Sequence, residues 1–422
     1  MKMTLKSIIS LSICLLILCL SLSSLAACSA ESNKVTKLYV YNWGEYISDG
    51  LDGTLDSNKA FEEWYYEEYG ERIEVVYSTF SSNEDMYAKI TTGAVSYDVI
   101  VPSDYMIERL IKEERLLSLD YENIPNIVNI DDKFNGHTNP NAEYDYYDEG
   151  NIYSVPYFYG MIGIIYNTEM VDEADIGSWN LMWNEKYAGN ILQFNNPRDA
   201  FGTAQYFHGL DVNSEDEAEW RKALGYLHDQ KDIVQGYVMD EIFNKMQSGS
   251  AAIAAYYAGD FLTMYEVNDA LEFYYPKEGT NLYVDAMCIP DTCQNKLAAE
   301  RYINFMLSEE AAIANAEYTY YASPNKLVYG NSEYKDTMDE IKEGAYEMIY
   351  TLVLNESDVE IDAKPYKNLS GKQLAMINTL WEELKSDIDV SPAIYIICAV
   401  IVATLVFFGV FFGVRKKIRN NY

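Results

Sequence analysis

The chain has 422 residues, with 66 acidic side chains against 31 basic, a formal charge of −35 and 39 tyrosines. That balance excludes nucleic acid as a partner and draws small cations toward the surface, although most of the carboxylates serve as a solvated, solubilising shell. The length is too great for one small core and sufficient for two lobes.

Lys2 and Lys6 precede an apolar run from Ile8 to Leu25, the charged start and hydrophobic middle of an export signal. The run ends in Leu25-Ala26-Ala27-Cys28, which resembles a bacterial lipoprotein cleavage box. Residues 1–27 are therefore expected to be removed, Cys28 to carry lipid, and 28–36 to act as a tether.

Lys37 to Tyr41, Ile73 to Tyr77 and Tyr97 to Val101 are rich in β-branched and aromatic residues and predict strands. Asn58 to Tyr69, Asn83 to Thr92 and Tyr105 to Leu116 carry helical spacing. This alternation predicts an α/β fold with a mainly parallel sheet, whose ligand sits at the carboxyl ends of the strands. A polar loop, 139–151, then leads to an apolar run from Ile152 to Tyr166, expected to cross into a second lobe. Helices are expected from Arg198 to Leu210, Glu215 to Asp229 and Met239 to Gln247, then a buried strand from Ala251 to Tyr257. Tyr274 to Ile289 should cross back. Helical segments from Lys296 to Leu307, Glu309 to Glu317, Met338 to Tyr350 and Gly371 to Asp387 complete the domain.

Ile394 to Val414 contains no charged residue, and its 21 positions suffice for a transmembrane helix. Arg415, Lys416, Lys417 and Arg419 follow, so 415–422 should be a cytoplasmic tail. Everything between Cys28 and Asp389 is then expected on the outer face of a bacterial cytoplasmic membrane. A one-membrane bacterium fits two such tethers best. Within that outer part, 25 basic residues face all 66 acidic ones. Its two cysteines, Cys288 and Cys293, are close enough in sequence for a small-loop disulfide, and equally compatible with two thiols.

The chemistry concentrates at the expected strand ends. Trp43, Glu45 and Tyr46 follow the first strand, and Ser103 and Tyr105 the third. Asp199 follows Asn195-Asn196-Pro197-Arg198, Tyr257-Ala258-Gly259-Asp260 ends another strand, and Tyr283-Val284-Asp285 lies in the return crossing. Aromatic faces attract ammonium groups and cover methylene chains, while carboxylates pair with charged amines. Acids spaced along a slot with ring-lined walls suit a linear diamine or triamine.

Several tracts in a fixed order resemble the spermidine/putrescine-binding proteins of polyamine ABC transporters. They are Tyr41-Asn42-Trp43-Gly44-Glu45-Tyr46, Val101-Pro102-Ser103-Asp104-Tyr105, and Ser178-Trp179 with Leu181, Trp183, Tyr187 and Gly189. Tyr257-Ala258-Gly259-Asp260, Tyr275-Pro276-Lys277-Glu278-Gly279, Asp285 with Ile289-Pro290, and Tyr321 before Ser323-Pro324-Asn325 continue the series. The resemblance implies a type II periplasmic-binding-protein fold, two lobes closing on a ligand about a hinge. It places one lobe at 37–156 plus 284–328 and the other at 157–283 plus 329–388. It further implies that Trp43, Tyr46, Tyr105, Tyr257, Tyr283 and Tyr321 form aromatic walls. Glu45, Asp199, Asp260 and Asp285 would receive the amines, and Ser103 would add a hydrogen bond. The implied partners are a polyamine and the subunits of an ABC permease, with no cofactor and no metal.

Three departures bear on ligand choice. Gly44 stands where relatives often carry Ser or Thr, Asn196 where a spermidine binder carries an acid, and Asp260 follows Ala258-Gly259 as in putrescine-type sites. These lean toward putrescine over spermidine. Rival classes are a surface hydrolase using two of the carboxylates, and a binder of sugar, amino acid or another cation. Against an enzyme, His137, His208 and His228 sit in no catalytic motif. A sugar site would not need four acids without a base, and an amino-acid site would want an Arg or Lys for the ligand carboxylate, for which Arg198 is the one basic candidate near the slot.

Overall fold

The computed structural model describes residues 35–93, 95–354 and 361–386. The expected signal peptide, Cys28 and the apolar stretch at 394–414 lie outside the described residues. Among those described, no helix is long and apolar enough to cross a membrane.

Strand β1 (Thr36–Trp43) lies between β2 (Ile73–Phe80) and β3 (Val99–Ile100), parallel to both. In β1, buried Leu38 and Val40 alternate with more exposed Lys37 and Tyr39, the period-two pattern of a strand with one face inward. The crossover helix Ser57–Tyr69 starts where Asp56 accepts from Lys59 N and stops at Gly70, whose φ of 68° suits glycine. β3 is shorter than the sequence predicts. The side chain of Asp98 accepts from the backbone N–H of Tyr39, Gln294 and Asn295, replacing ladder bonds at the strand's start. Tyr97 is buried nonetheless, stacked on Tyr41 with ring centroids 4.4 Å apart.

Four strands form the second half of the sheet: β5 (Ile191–Phe194), β6 (Val234–Val238), β7 (Ile253–Tyr257) and β8 (Leu271–Tyr274). Two long strands bridge the halves, β4 (Ser154–Asn167) and β9 (Thr280–Cys288). The first part of β4 runs antiparallel to β9, and its second part pairs with β7 and β8. Both strands are almost wholly buried, as central strands covered on two faces must be. β5 is parallel to β6 and β7, and β10 (Ala363–Pro365) runs beside the start of β9. The result is a two-lobed α/β fold.

Several expectations need correction. The return crossing begins at Thr280 rather than Tyr274, because a turn from Pro276 to Gly279, with Gly279 at φ 98°, separates β8 from β9. The helix expected from Met338 to Tyr350 is two helices, Ser332–Ile341 and Ala345–Ile349, divided at Gly344 with φ 80°. The helix after β3 spans Asp104–Lys112 and stops short of Leu116, which instead bridges to Pro290. Cys288 and Cys293 are both free thiols. The helix Gly371–Ser386 belongs to a separate compact unit and buries Ile377, Leu380, Trp381 and Leu384 along one face.

Candidate functional site

Parallel strands deliver their carboxyl ends to one side of a sheet, and here those ends converge on a single cleft. Trp43 ends β1, Phe80 ends β2, Phe194 ends β5 and Tyr257 ends β7. Four of the helices that begin at the cleft are Asn83–Thr91, Asp104–Lys112, Pro197–Phe207 and Ala258–Tyr265. Each carries an acid in its first turn, respectively Glu84, Asp104, Asp199 and Asp260. The positive end of a helix dipole favours an anion there. The cleft encloses about 920 Å³, open solvent at its mouth included.

All eleven residues singled out from the sequence line this cleft. Six of them form three tyrosine–aspartate pairs. The Tyr46 hydroxyl donates to Asp285 at 2.6 Å, Tyr257 to Asp199 at 2.7 Å, and Tyr321 to Asp260 at 2.8 Å. Tyr105 donates to Glu84 at 3.1 Å and accepts from the Asn83 amide, which also donates to Ser103 Oγ at 3.0 Å. Trp43 packs against Phe80, ring centroids 4.5 Å apart, and Tyr283 meets Tyr257 edge-on at 5.5 Å. Glu45 is exposed at the mouth, where Tyr318 donates to it at 3.3 Å.

Two glycines make room for these rings. A Cβ on Gly259 would lie 2.5 Å from the Tyr321 ring, and one on Gly160 would lie 2.5 Å from the Tyr283 hydroxyl. Gly44 is different: a Cβ there would meet only Asp240 Oδ2, at an ordinary 3.5 Å.

The electrostatics are those of acids that outnumber the basic groups of the lining. Burial pushes the carboxyl of Asp285 up to about 6 and those of Asp104 and Asp260 up to about 7, and it also raises Asp199 and Glu84. Hydrogen bonds from Tyr46 to Asp285 and from Tyr321 to Asp260 offset part of that cost. The Ser103 hydroxyl lies near enough to Asp285 to favour its charged form, yet not in hydrogen-bonding geometry with Oδ1, which stays buried without a partner among the described residues.

Arg198 is the basic group of the lining. It is 3% exposed, 4.4 Å from the centre of the Tyr366 ring, and bonded to Asn213 through Nη2 at 3.3 Å. It offsets part of the rise at Asp199 and Glu84, while its Nε and Nη1 are buried with no hydrogen-bond partner among the described residues.

Glu84, Asp104, Asp240, Asn281 and Tyr366 also line the cleft and were not singled out from the sequence. Glu84 was legible as an acid opening a helix after a strand. Asn281 shares the alternate-residue pattern of Tyr283 and Asp285 on β9. Tyr366 follows the three-residue β10 and carried no local signal.

Residues 59–340 match the family model described as bacterial extracellular solute-binding protein. The chain is 31% identical over 304 residues to the spermidine/putrescine-binding periplasmic protein of Escherichia coli, a match covering 71% of this chain and 80% of that one. It is 27% identical over 381 residues to the putrescine/cadaverine-binding protein of Pseudomonas aeruginosa, covering 87% and 98% respectively. Among solved structures, the spermidine/putrescine ABC transporter substrate-binding protein of Streptococcus pneumoniae aligns with a TM-score of 0.63 at 32% identity, covering 83% of this chain and 99% of the other.

Proposed function

This chain belongs to the bacterial extracellular solute-binding proteins, in the group of the spermidine/putrescine-binding proteins, and from that premise we propose that it captures a linear polyamine and delivers it to an ABC permease. One observation carries the proposal: several carboxylates are buried in a ring-lined cleft with a single arginine among them. A burial cost of that kind is tolerable when a multiply charged cation removes it. Aspartates 199, 260 and 285 would receive ammonium groups, while Trp43, Tyr46, Tyr105, Tyr257, Tyr283 and Tyr321 cover the methylenes. Glu45 would close the mouth, and Ser103 would hold the Asp285 end.

The lobes would be 37–156 plus 284–328 and 157–283 plus 329–388, hinged where β4 and β9 cross. The ligand favours closure because only the closed form makes both lobes' contacts at once. Lipid on Cys28 and a helix at 394–414 would hold the domain on the outer face of the membrane, with 415–422 in the cytoplasm. No catalytic role is proposed, since the cleft is built for holding charge.

A thermal-shift screen of the full chain in nanodiscs against polyamines, sugars and amino acids tests this. A stabilisation confined to polyamines is expected. A shift with a sugar or a neutral amino acid, and none with polyamines, would sink it.

A further inference from the structure

Buried asparagines around the cleft have their amides in use. Asn42 accepts from Trp43 N at 2.9 Å and donates to the Tyr46 carbonyl at 3.4 Å. Asn83 bonds Ser103 and Tyr105. Half-buried Asn196 caps a helix and donates to Asp199 at 2.6 Å. Even Thr280, the neighbour of Asn281 on β9, places its hydroxyl on the Ile162 carbonyl at 2.6 Å.

Asn281 breaks the pattern. It is 3% exposed, lines the cleft, and its Oδ1 is buried with no hydrogen-bond partner among the described residues. Its backbone is fixed by register, opposite Lys364 of β10, so the side chain cannot be re-aimed by a loop shift. Two residues along, Tyr283 also presents an unpaired hydroxyl, and two further on Asp285 presents an unpaired Oδ1. Alternate residues of a strand share a face, so these three orphaned polar groups form one row on the cleft floor. An unpaired buried acceptor is costly, and native proteins keep one where a ligand supplies the donor.

We propose that Asn281 is a further ligand-binding residue, its side-chain oxygen held for an N–H of the bound cation alongside Asp285. This rests on the polyamine reading above and adds a neutral contact to its acids. A leucine of similar size removes the orphan acceptor and with it the desolvation cost in the empty cleft. Asn281→Leu should therefore raise stability and lower affinity together. A merely structural amide would have both fall.

The experiment uses the full chain in nanodiscs, wild type and Asn281→Leu, with melting of the ligand-free proteins and titration calorimetry with putrescine and spermidine. The expected result is a ligand-free melting temperature at or above wild type, with the tighter polyamine weakened about ten-fold. Asn281→Asp keeps the acceptor and should retain binding at pH 8. Unchanged affinity in Asn281→Leu, or a lowered melting temperature accompanying the loss, would overturn the assignment while leaving polyamine capture intact. A wild-type protein that binds neither polyamine would instead remove the reading beneath it.

Discussion

Asp285 concentrates the chemistry at the residue scale, because one oxygen is held by Tyr46 and the other is buried without a partner among the described residues. Replacing it by asparagine removes a charge-assisted contact to an ammonium, so Asp285→Asn should weaken polyamine binding by about 2 kcal/mol, roughly thirty-fold. The ligand-free protein should be no less stable at pH 8, since a desolvated charge goes with the substitution. Calorimetry and urea unfolding on the same variant read both effects. Gly259 is a second residue-scale test. A methyl there would collide with the Tyr321 ring at 2.5 Å, and that ring can move only by leaving Asp260. Gly259→Ala should therefore reduce affinity even though alanine in place of glycine by itself favours a helix, measurable by the same titration.

At the scale of elements, what matters is that four helices start at the cleft after parallel strands end there. Asn196 caps the helix Pro197–Phe207 by accepting from Asp199 N at 2.9 Å, and its amide donates to the Asp199 carboxylate. Asn196→Ala should cost about 1 kcal/mol of stability through the lost cap, readable by denaturant unfolding. It should also raise the pKa of Asp199 further, since a bond to the charged form disappears. Much of this framework was legible in the sequence. The β-α-β alternation, the strand ends and the aromatic–x–Asp spacing in 283–285 pointed ten of the eleven singled-out residues to one cleft, and Tyr321 came from the family resemblance alone. Other contributions were not legible for a physical reason. β6, β8 and β10 are short strands whose pairing, rather than composition, makes them strands. Tyr366 reaches the cleft only because Gly202 leaves room for its hydroxyl, 2.1 Å from where a Cβ would sit. Pairing of that kind is a property of the assembled fold and leaves no periodicity to read.

At the scale of the whole molecule, a heavily acidic chain buries acids in its cleft, and pH should expose this. The carboxyls of Asp104, Asp260 and Asp285 sit at about 7, 7 and 6 when folded, above the roughly 3.9 of an unfolded aspartate. The folded state thus holds more protons than the unfolded one in that window. Their contribution to stability is present below the unfolded value and is lost as pH rises through 6 to 7. The ligand-free protein should melt lower at pH 8 than at pH 5.5, and a saturating polyamine should narrow that gap by supplying the missing positive charge. The most direct test of cleft capture is titration calorimetry of the full chain with spermidine and putrescine at pH 6.5, in two buffers of different ionisation enthalpy. Saturable one-to-one binding with net proton release is predicted, because the arriving cation drives the buried aspartates to ionise. Absence of binding, or binding with no proton release, would contradict it.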